Sequence, residues 1–192
     1  MAVGPRRNAK PPAVGFDRTA NVFGALALVV ADQLDDAVAE AAGRSESAAA
    51  ALSALLHFLD RPSIDLLRQV LGLTPSGTVR LVDRLEESGY VRRGAGPDGR
   101  TAALALTDEG RLAALRVTKA RGAVLERALG VLSAAEREVF DELAGKVLVG
   151  MMRGPGAIRW ICRLCHIGVC RGSDGGCPLG SAARQRYRVD QP

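Results

Sequence analysis

Residues 63–106 carry a punctuation pattern that few folds can satisfy. Ser63 opens a short apolar stretch over 64–70 that Gly72 breaks, and Thr74-Pro75 then starts a second helix. Threonine suits the N-cap there, and proline takes its favoured first helical position. That helix ends at Ser88-Gly89. Tyr90-Val91-Arg92-Arg93 follows, then the turn-rich run Gly94-Ala95-Gly96-Pro97-Asp98-Gly99. Arg100-Thr101-Ala102-Ala103-Leu104-Ala105-Leu106 can return as a strand. Two short strands joined by Gly, Pro and Asp make a β-hairpin. A short helix, a tight turn and a capped helix make a helix-turn-helix, and the hairpin behind it reads as a wing.

Helices flank this unit on both sides. One spans about 19–42 and ends at Gly43, and Ser45 caps another that stops at Arg61-Pro62. Downstream, Thr107-Asp108-Glu109 caps a helix to about 129, with two carboxylates at the positive end of its dipole. Ser133-Ala134-Ala135-Glu136 is a capping box that starts a last helix to about 152, closed by Gly154-Pro155-Gly156. Aromatics are only 4% of the chain against 47% apolar residues, so the core is built from Leu, Val and Ala. The first and last of these helices are apolar beyond one buried stripe, as expected when a helix packs on its own domain and on a partner. Residues 1–18 hold three of the nine prolines together with Arg6, Arg7 and Lys10, and read as a flexible basic arm.

At about 100° per residue, Thr78, Leu81, Val82 and Leu85 share one face of the second helix of the helix-turn-helix. That face belongs against the core. Ser76, Val79, Arg80 and Asp83 lie opposite, where a major groove would be met. Arg80 can donate two hydrogen bonds to guanine, and Val79 can touch a thymine methyl. Thr74 and Ser76 sit at the helix start, where hydroxyls and backbone N–H groups suit phosphate. Arg84 shares the charged side of the helix, and Arg92, Arg93 and Arg100 surround the glycine-rich turn. The blander reading of these arginines is a solvated surface, with Arg80 and Arg84 paired to Asp83 or Glu87.

The run from Leu73 through Arg93 resembles the recognition helix and first wing strand of the MarR family of transcriptional repressors. Pro97-Asp98-Gly99-Arg100 is similar to that family's Asp-x-Arg wing signature, and Leu106-Thr107-Asp108-Glu109-Gly110 to its following helix start. The resemblance covers roughly 19–152. In many relatives the order at Thr78-Val79 is reversed, apolar first. The resemblance implies a homodimer formed by the first and last helices, 19–42 and 107–152. It also implies a double-stranded, pseudo-palindromic operator with half-sites about one DNA turn apart. Arg100 would enter the minor groove, with Asp98 orienting arginines of the wing or the recognition helix. It further implies repression and a small-molecule effector bound between the dimerisation and DNA-binding regions.

The four cysteines all fall within a short C-terminal stretch: Cys162, Cys165, Cys170 and Cys177, spaced Cys-x2-Cys-x4-Cys-x6-Cys among glycines 168, 172, 175 and 176. A disulfide framework would spread them to staple distant parts of the chain, so the clustering points to a metal. Four thiolates around one tetrahedral ion make a closed structural zinc site. An iron–sulfur cluster is the rival, since Cys177-Pro178 is similar to the last ligand of ferredoxin-type sites, and a thiol switch is a third reading. His166 directly follows a ligand and is expected to point away. His57 reads as a structural histidine, and Trp160 and Met151 are expected to pack the knot against the last helix.

A formal charge of +5 favours polyanionic partners. No segment reaches the roughly 20 apolar residues that span a bilayer; the nearest, 22–31, stops at Asp32, and no secretory signal is evident, so a cytoplasmic protein is expected. No paired-carboxylate, Ser/His/Asp or phosphate-loop constellation is present, and an enzyme is not expected. The expected fold is mainly α: a winged helix-turn-helix with long dimerisation helices over 19–153. A metal-stabilised cysteine knot over 154–180 and a basic tail over 181–192 complete it. The expected function is a dimeric DNA-binding regulator with structural zinc; the alternative is a metal- or redox-sensing regulator whose primary chemistry is at the cysteines.

Overall fold

The computed structural model describes residues 17–43, 45–96, 102–154, 156–172 and 176–187. The chain runs α1 (Arg18–Ala41), α2 (Glu46–His57), α3 (Ile64–Leu71), α4 (Pro75–Glu87), β1 (Val91–Ala95), β2 (Ala102–Leu106), α5 (Asp108–Leu129), α6 (Ala134–Met151), α7 (Ala157–Ile161), α8 (Ile167–Gly172) and α9 (Pro178–Tyr187). The sequence punctuation sets most of these boundaries. Ser45, Ser63, Thr74, Thr107 and Ser133 each accept a hydrogen bond from a backbone N–H of their helix's first turn. Such caps contribute about 1 kcal/mol apiece. The capping box at Ser133 is complete, with Glu136 reaching back to the Ser133 N–H. Asp17 caps α1, a cap outside the sequence expectation, and shifts its start to Arg18.

The first core joins α2, α3, α4, β2 and α5 around the fully buried Leu52, Leu67, Leu81, Leu104 and Val117. Burying a Leu or Val side chain contributes roughly 1.5–3 kcal/mol, which compensates for the scarcity of aromatics. β1 and β2 pair antiparallel, with Val91 opposite Leu106 and Ala95 opposite Ala102. The α2–α3 connection pins this hairpin from the side. Leu104 N–H donates to the Pro62 carbonyl at 2.9 Å, Ser63 bridges to Ala103, and the Arg61 guanidinium binds the Ala95 carbonyl. Arg61 does so from a left-handed backbone, φ +44°.

A second, smaller core gathers Met152, Leu179 and Ala183 with Val149, Ile158, Ile161 and Tyr187. It changes the C-terminal reading. Residues 181–187 are not a solvated tail but the body of α9, which lies along α6 with Pro178 against Gly145. Leu179 and Ala183, one helical turn apart, are buried there, and the Tyr187 hydroxyl accepts from Gly154 N–H at 3.1 Å. The expected arm at 1–18 falls almost wholly outside the described residues, as does Arg188.

Two helices leave broad apolar faces uncovered. α1 exposes Val22, Phe23, Leu26, Leu28 and Val29 along its first half. α6 exposes Val139, Phe140, Leu143, Val147, Leu148 and Met151, although Gly145 is buried beneath α9. Among the described residues, no helix is long and apolar enough to cross a membrane.

Candidate nucleic-acid interface and cysteine cluster

The predicted two-faced character of α4 is what the structure shows. Thr78, Leu81, Val82 and Leu85 are its buried residues. Thr78 is buried without penalty because its hydroxyl donates to the Thr74 carbonyl at 2.9 Å. Ser76, Val79, Arg80 and Arg84 face outward. Thr74 spends its side-chain oxygen on the Gly77 N–H, 3.1 Å away, as the N-cap. The Arg80 and Arg84 Nε atoms rest 3.3 Å from the carbonyls one turn back, Ser76 and Arg80 respectively. Among the described residues neither forms an ion pair with Asp83 or Glu87, so their charge is presented outward.

The wing arginines divide. Arg92 is exposed on β1. Arg93 instead turns toward the recognition helix and grips both Asp83 and Glu86, with its own N–H 3.2 Å from a Glu86 oxygen. Hydrogen bonding to Asp83, reinforced by the charge of Glu86, pushes the Arg93 pKa up. Arg93 thus links the hairpin to α4. Glu86 and Arg61 were not singled out from sequence. A carboxylate three residues after Asp83 on one helix face is the available signal for Glu86; none marks Arg61. Asp98 and Arg100 lie outside the described residues.

The cysteine segment folds as α7, a turn, α8 and α9, and its four sulfurs face one neighbourhood. None is in a disulfide. Cys162 donates to the sulfurs of Cys165 and Cys177, which keeps its own proton in place and pushes its pKa up. That donation brings Cys165 down to about 7, against the opposing effect of burial. It also brings Cys177 down to about 5, helped by the backbone N–H groups of Gly180 and Leu179 at the start of α9 and by the Arg184 charge. A helix start stabilises a thiolate in this way. Burial, followed by the neighbouring Cys177 and Cys165 charges, holds the Cys170 thiol up.

The donor set is therefore four soft sulfurs with two already disposed to ionise, which fits a thiophilic ion such as zinc. The fit is of chemistry rather than of finished geometry. Among the described residues, no group of three or more His, Cys, Asp or Glu side chains stands ready-made to hold an ion.

The His166 ring lies against that of His57, with centroids 4.6 Å apart and the planes tilted by 43°. His57 Nε2 lies 2.9 Å from Thr118 Oγ1, and Thr118 donates its only hydroxyl hydrogen to the Ala114 carbonyl at 3.0 Å, so His57 is the donor to Thr118. Burial, His166 and Arg121 together lower the His57 pKa. Trp160 and Met151 do not take the expected place between the knot and the last helix. Met152 enters the second core instead, Met151 is exposed, and the Trp160 indole lies on Gly72 of the helix-turn-helix.

A helix-turn-helix with a locked hairpin and an outward-facing, arginine-bearing second helix defines a winged helix-turn-helix protein. Residues 42–101 match the MarR family. The HTH-type transcriptional regulator PrsX of Escherichia coli is 34% identical over 83 residues, 43% of this chain and 50% of PrsX. The chain thus spans about half the length of the curated relatives it matches. Among solved structures, it resembles MepR, a transcription regulator of the Staphylococcus aureus multidrug efflux pump MepA. The TM-score is 0.59 at 17% identity, covering 71% of this chain and 100% of that one. A mutant MepR bound to an oligodeoxyribonucleotide matches with a TM-score of 0.53 at 17% identity and the same coverage. The matched family and these relatives are transcriptional regulators, not enzymes.

Proposed function

We propose that this chain binds double-stranded operator DNA as a homodimer, repressing transcription of a gene beside the operator. The carrying observation is the outward face of α4. Ser76, Val79, Arg80 and Arg84 stand clear of the core on a capped helix, beside a hairpin that Arg93 fixes in place. Arg80 reads guanine and Val79 meets a thymine methyl in the major groove, while Thr74, Ser76, Arg84 and Arg92 meet phosphates. Arg100 enters the minor groove, and Asp98 orients arginines of the wing or the recognition helix. The uncovered faces of α1 and α6 supply the dimer contact, and a small-molecule effector that prefers the non-binding arrangement would release the DNA.

Zinc held by Cys162, Cys165, Cys170 and Cys177 braces the C-terminal module. When bound it supplies a tetrahedral cross-link between α7, α8 and the start of α9, and no redox chemistry. A second reading is favoured by the contact between the Cys162 and Cys177 sulfurs: a thiol switch or iron–sulfur sensor. As a switch, one peroxide would oxidise these two thiols to a disulfide and leave as two waters.

The test is selection of duplexes from a random library by the purified protein, with metal content and absorbance measured on the same sample. A symmetric enriched sequence and one colourless zinc per chain are expected. No enrichment at low ionic strength would overturn DNA reading, and a brown, iron-containing sample would replace zinc by a cluster.

A further inference from the structure

The cysteine module does not hang off the DNA-binding unit; it is seated on it at three points. The first is Trp160 on α7. Its Nε1 and Cδ1 lie 3.6 and 3.7 Å from where a Cβ of Gly72 would stand. Gly72 is the left-handed C-cap of α3, φ +65°, and therefore the joint of the helix-turn-helix itself. The second is Leu164, between Cys162 and Cys165, which packs against the main core rather than into the module's own. The third is His166, immediately after Cys165, whose ring lies tilted against that of His57 at the end of α2 and through it is tied to Thr118 of α5.

Each seat lies within two residues of a cysteine, so the path of the backbone between sulfurs decides where all three sit. The seat is also not sealed. Trp160 remains half exposed, and an open cleft of about 630 Å³ lies beside the α3–α7 contact, lined among others by Gln69, Val70, Trp160 and Ile161. A contact with open space beside it can be gained or lost without rebuilding the core.

Resting on the DNA-binding and zinc readings above, we infer that the cysteine module is a zinc-responsive clamp on the helix-turn-helix. With zinc drawing the four sulfurs together, the 160–166 segment is held against Gly72, the core and His57, and α3 and α4 keep their DNA-reading angle. Without the ion the segment loosens, and α4 loses the support behind its turn. Only interactions that differ between the two arrangements can shift such a balance. Trp160, Leu164 and His166 supply that difference.

The chain's single tryptophan is Trp160 itself, so its fluorescence reports the seat directly. The full-length protein is loaded with zinc chloride and used to select a duplex from a random library. Tryptophan emission and anisotropy of the labelled duplex are then followed while a chelator removes the ion and zinc is returned. The clamp requires a reversible shift in emission and an at least fivefold loss of duplex affinity on zinc removal. Trp160→Ala should still take up one zinc and should bind the duplex with an affinity that no longer depends on it. Leu164→Ala, at the second seat, should reduce the same dependence.

A protein that binds zinc yet holds the duplex equally well with and without it overturns the clamp while both underlying readings stand. So does a Trp160→Ala protein with undiminished zinc dependence. Failure to take up zinc, with duplex binding intact, overturns the clamp and the zinc reading but not DNA recognition. Zinc uptake with no duplex binding in any state overturns DNA recognition and the clamp with it.

Discussion

Arg80 and Arg93, both exposed on the sequence's own reckoning, have opposite tasks. Arg80 is exposed and, among the described residues, in no ion pair, its Nε resting on the Ser76 carbonyl, whereas Arg93 is committed to Asp83 and Glu86. Replacing Arg80 by Ala should cost roughly 1–3 kcal/mol in operator binding and relax base preference at one position per half-site. A competition assay showing unchanged discrimination would mean that α4 enters the groove in another orientation. His57 makes a pH-dependent contribution. Its pKa lies below the ordinary 6.5, first through burial and then through His166 and Arg121. Folding therefore favours the neutral ring. The stability this contributes is fully present above the ordinary value and is lost as pH falls through the lowered one, because the charged ring is then buried beside His166 and Arg121; the Nε2–H bond to Thr118 survives protonation. The thermal midpoint should drop between about pH 7 and 5, and less steeply in His57→Gln. Parallel profiles for the two proteins would remove His57 from this role.

The elements show where sequence patterns suffice and where they stop. The buried face of α4 was legible because one helical period places Thr78, Leu81, Val82 and Leu85 together, and nothing distant overrides it. The N-caps at Ser45, Ser63, Thr74, Thr107 and Ser133 were legible for the same local reason. α9 was missed, although Cys177-Pro178 repeats the cap-then-proline signal of Thr74-Pro75; glycines and arginines around it suggested a tail, and it is the tertiary packing of α6 and α7 that gives Leu179 and Ala183 something to bury against. The direction of Arg93 depends on hairpin register and on which side of the sheet covers α4, neither of which is local. The place of Trp160 on Gly72 joins residues far apart in the chain, with no periodicity to announce it.

Gly110 belongs to this level too. It matched a familiar helix start, but its physical reason is tertiary: a Cβ there would stand 1.8 Å from the Tyr90 carbonyl oxygen. Gly110→Ala should therefore destabilise by roughly 3 kcal/mol or more, read as a lowered urea midpoint. A change within the ordinary scatter of surface substitutions would show that α5 can slide away from the β1 entrance at little cost.

The chain as a whole presents an internal contradiction as a monomer. α1 and α6 are regular, capped helices, yet Phe23, Leu28, Val139, Phe140 and Leu143 are left in water. Soluble monomers rarely carry apolar patches of that extent. The proposed two-fold partner would cover these faces and at the same time duplicate α4, as a symmetric operator requires. Leu143→Glu should convert the protein to monomers while leaving its melting transition nearly in place, because more than half of that side chain is exposed within one chain. A dimer that survives the substitution would move the interface off α6. Sedimentation velocity of the purified chain, alone and with a selected duplex, tests the dimeric DNA-reading account most directly. It should show a two-chain particle in free solution and two chains on each duplex, whereas a lone chain that leaves every duplex unbound at low ionic strength would contradict it.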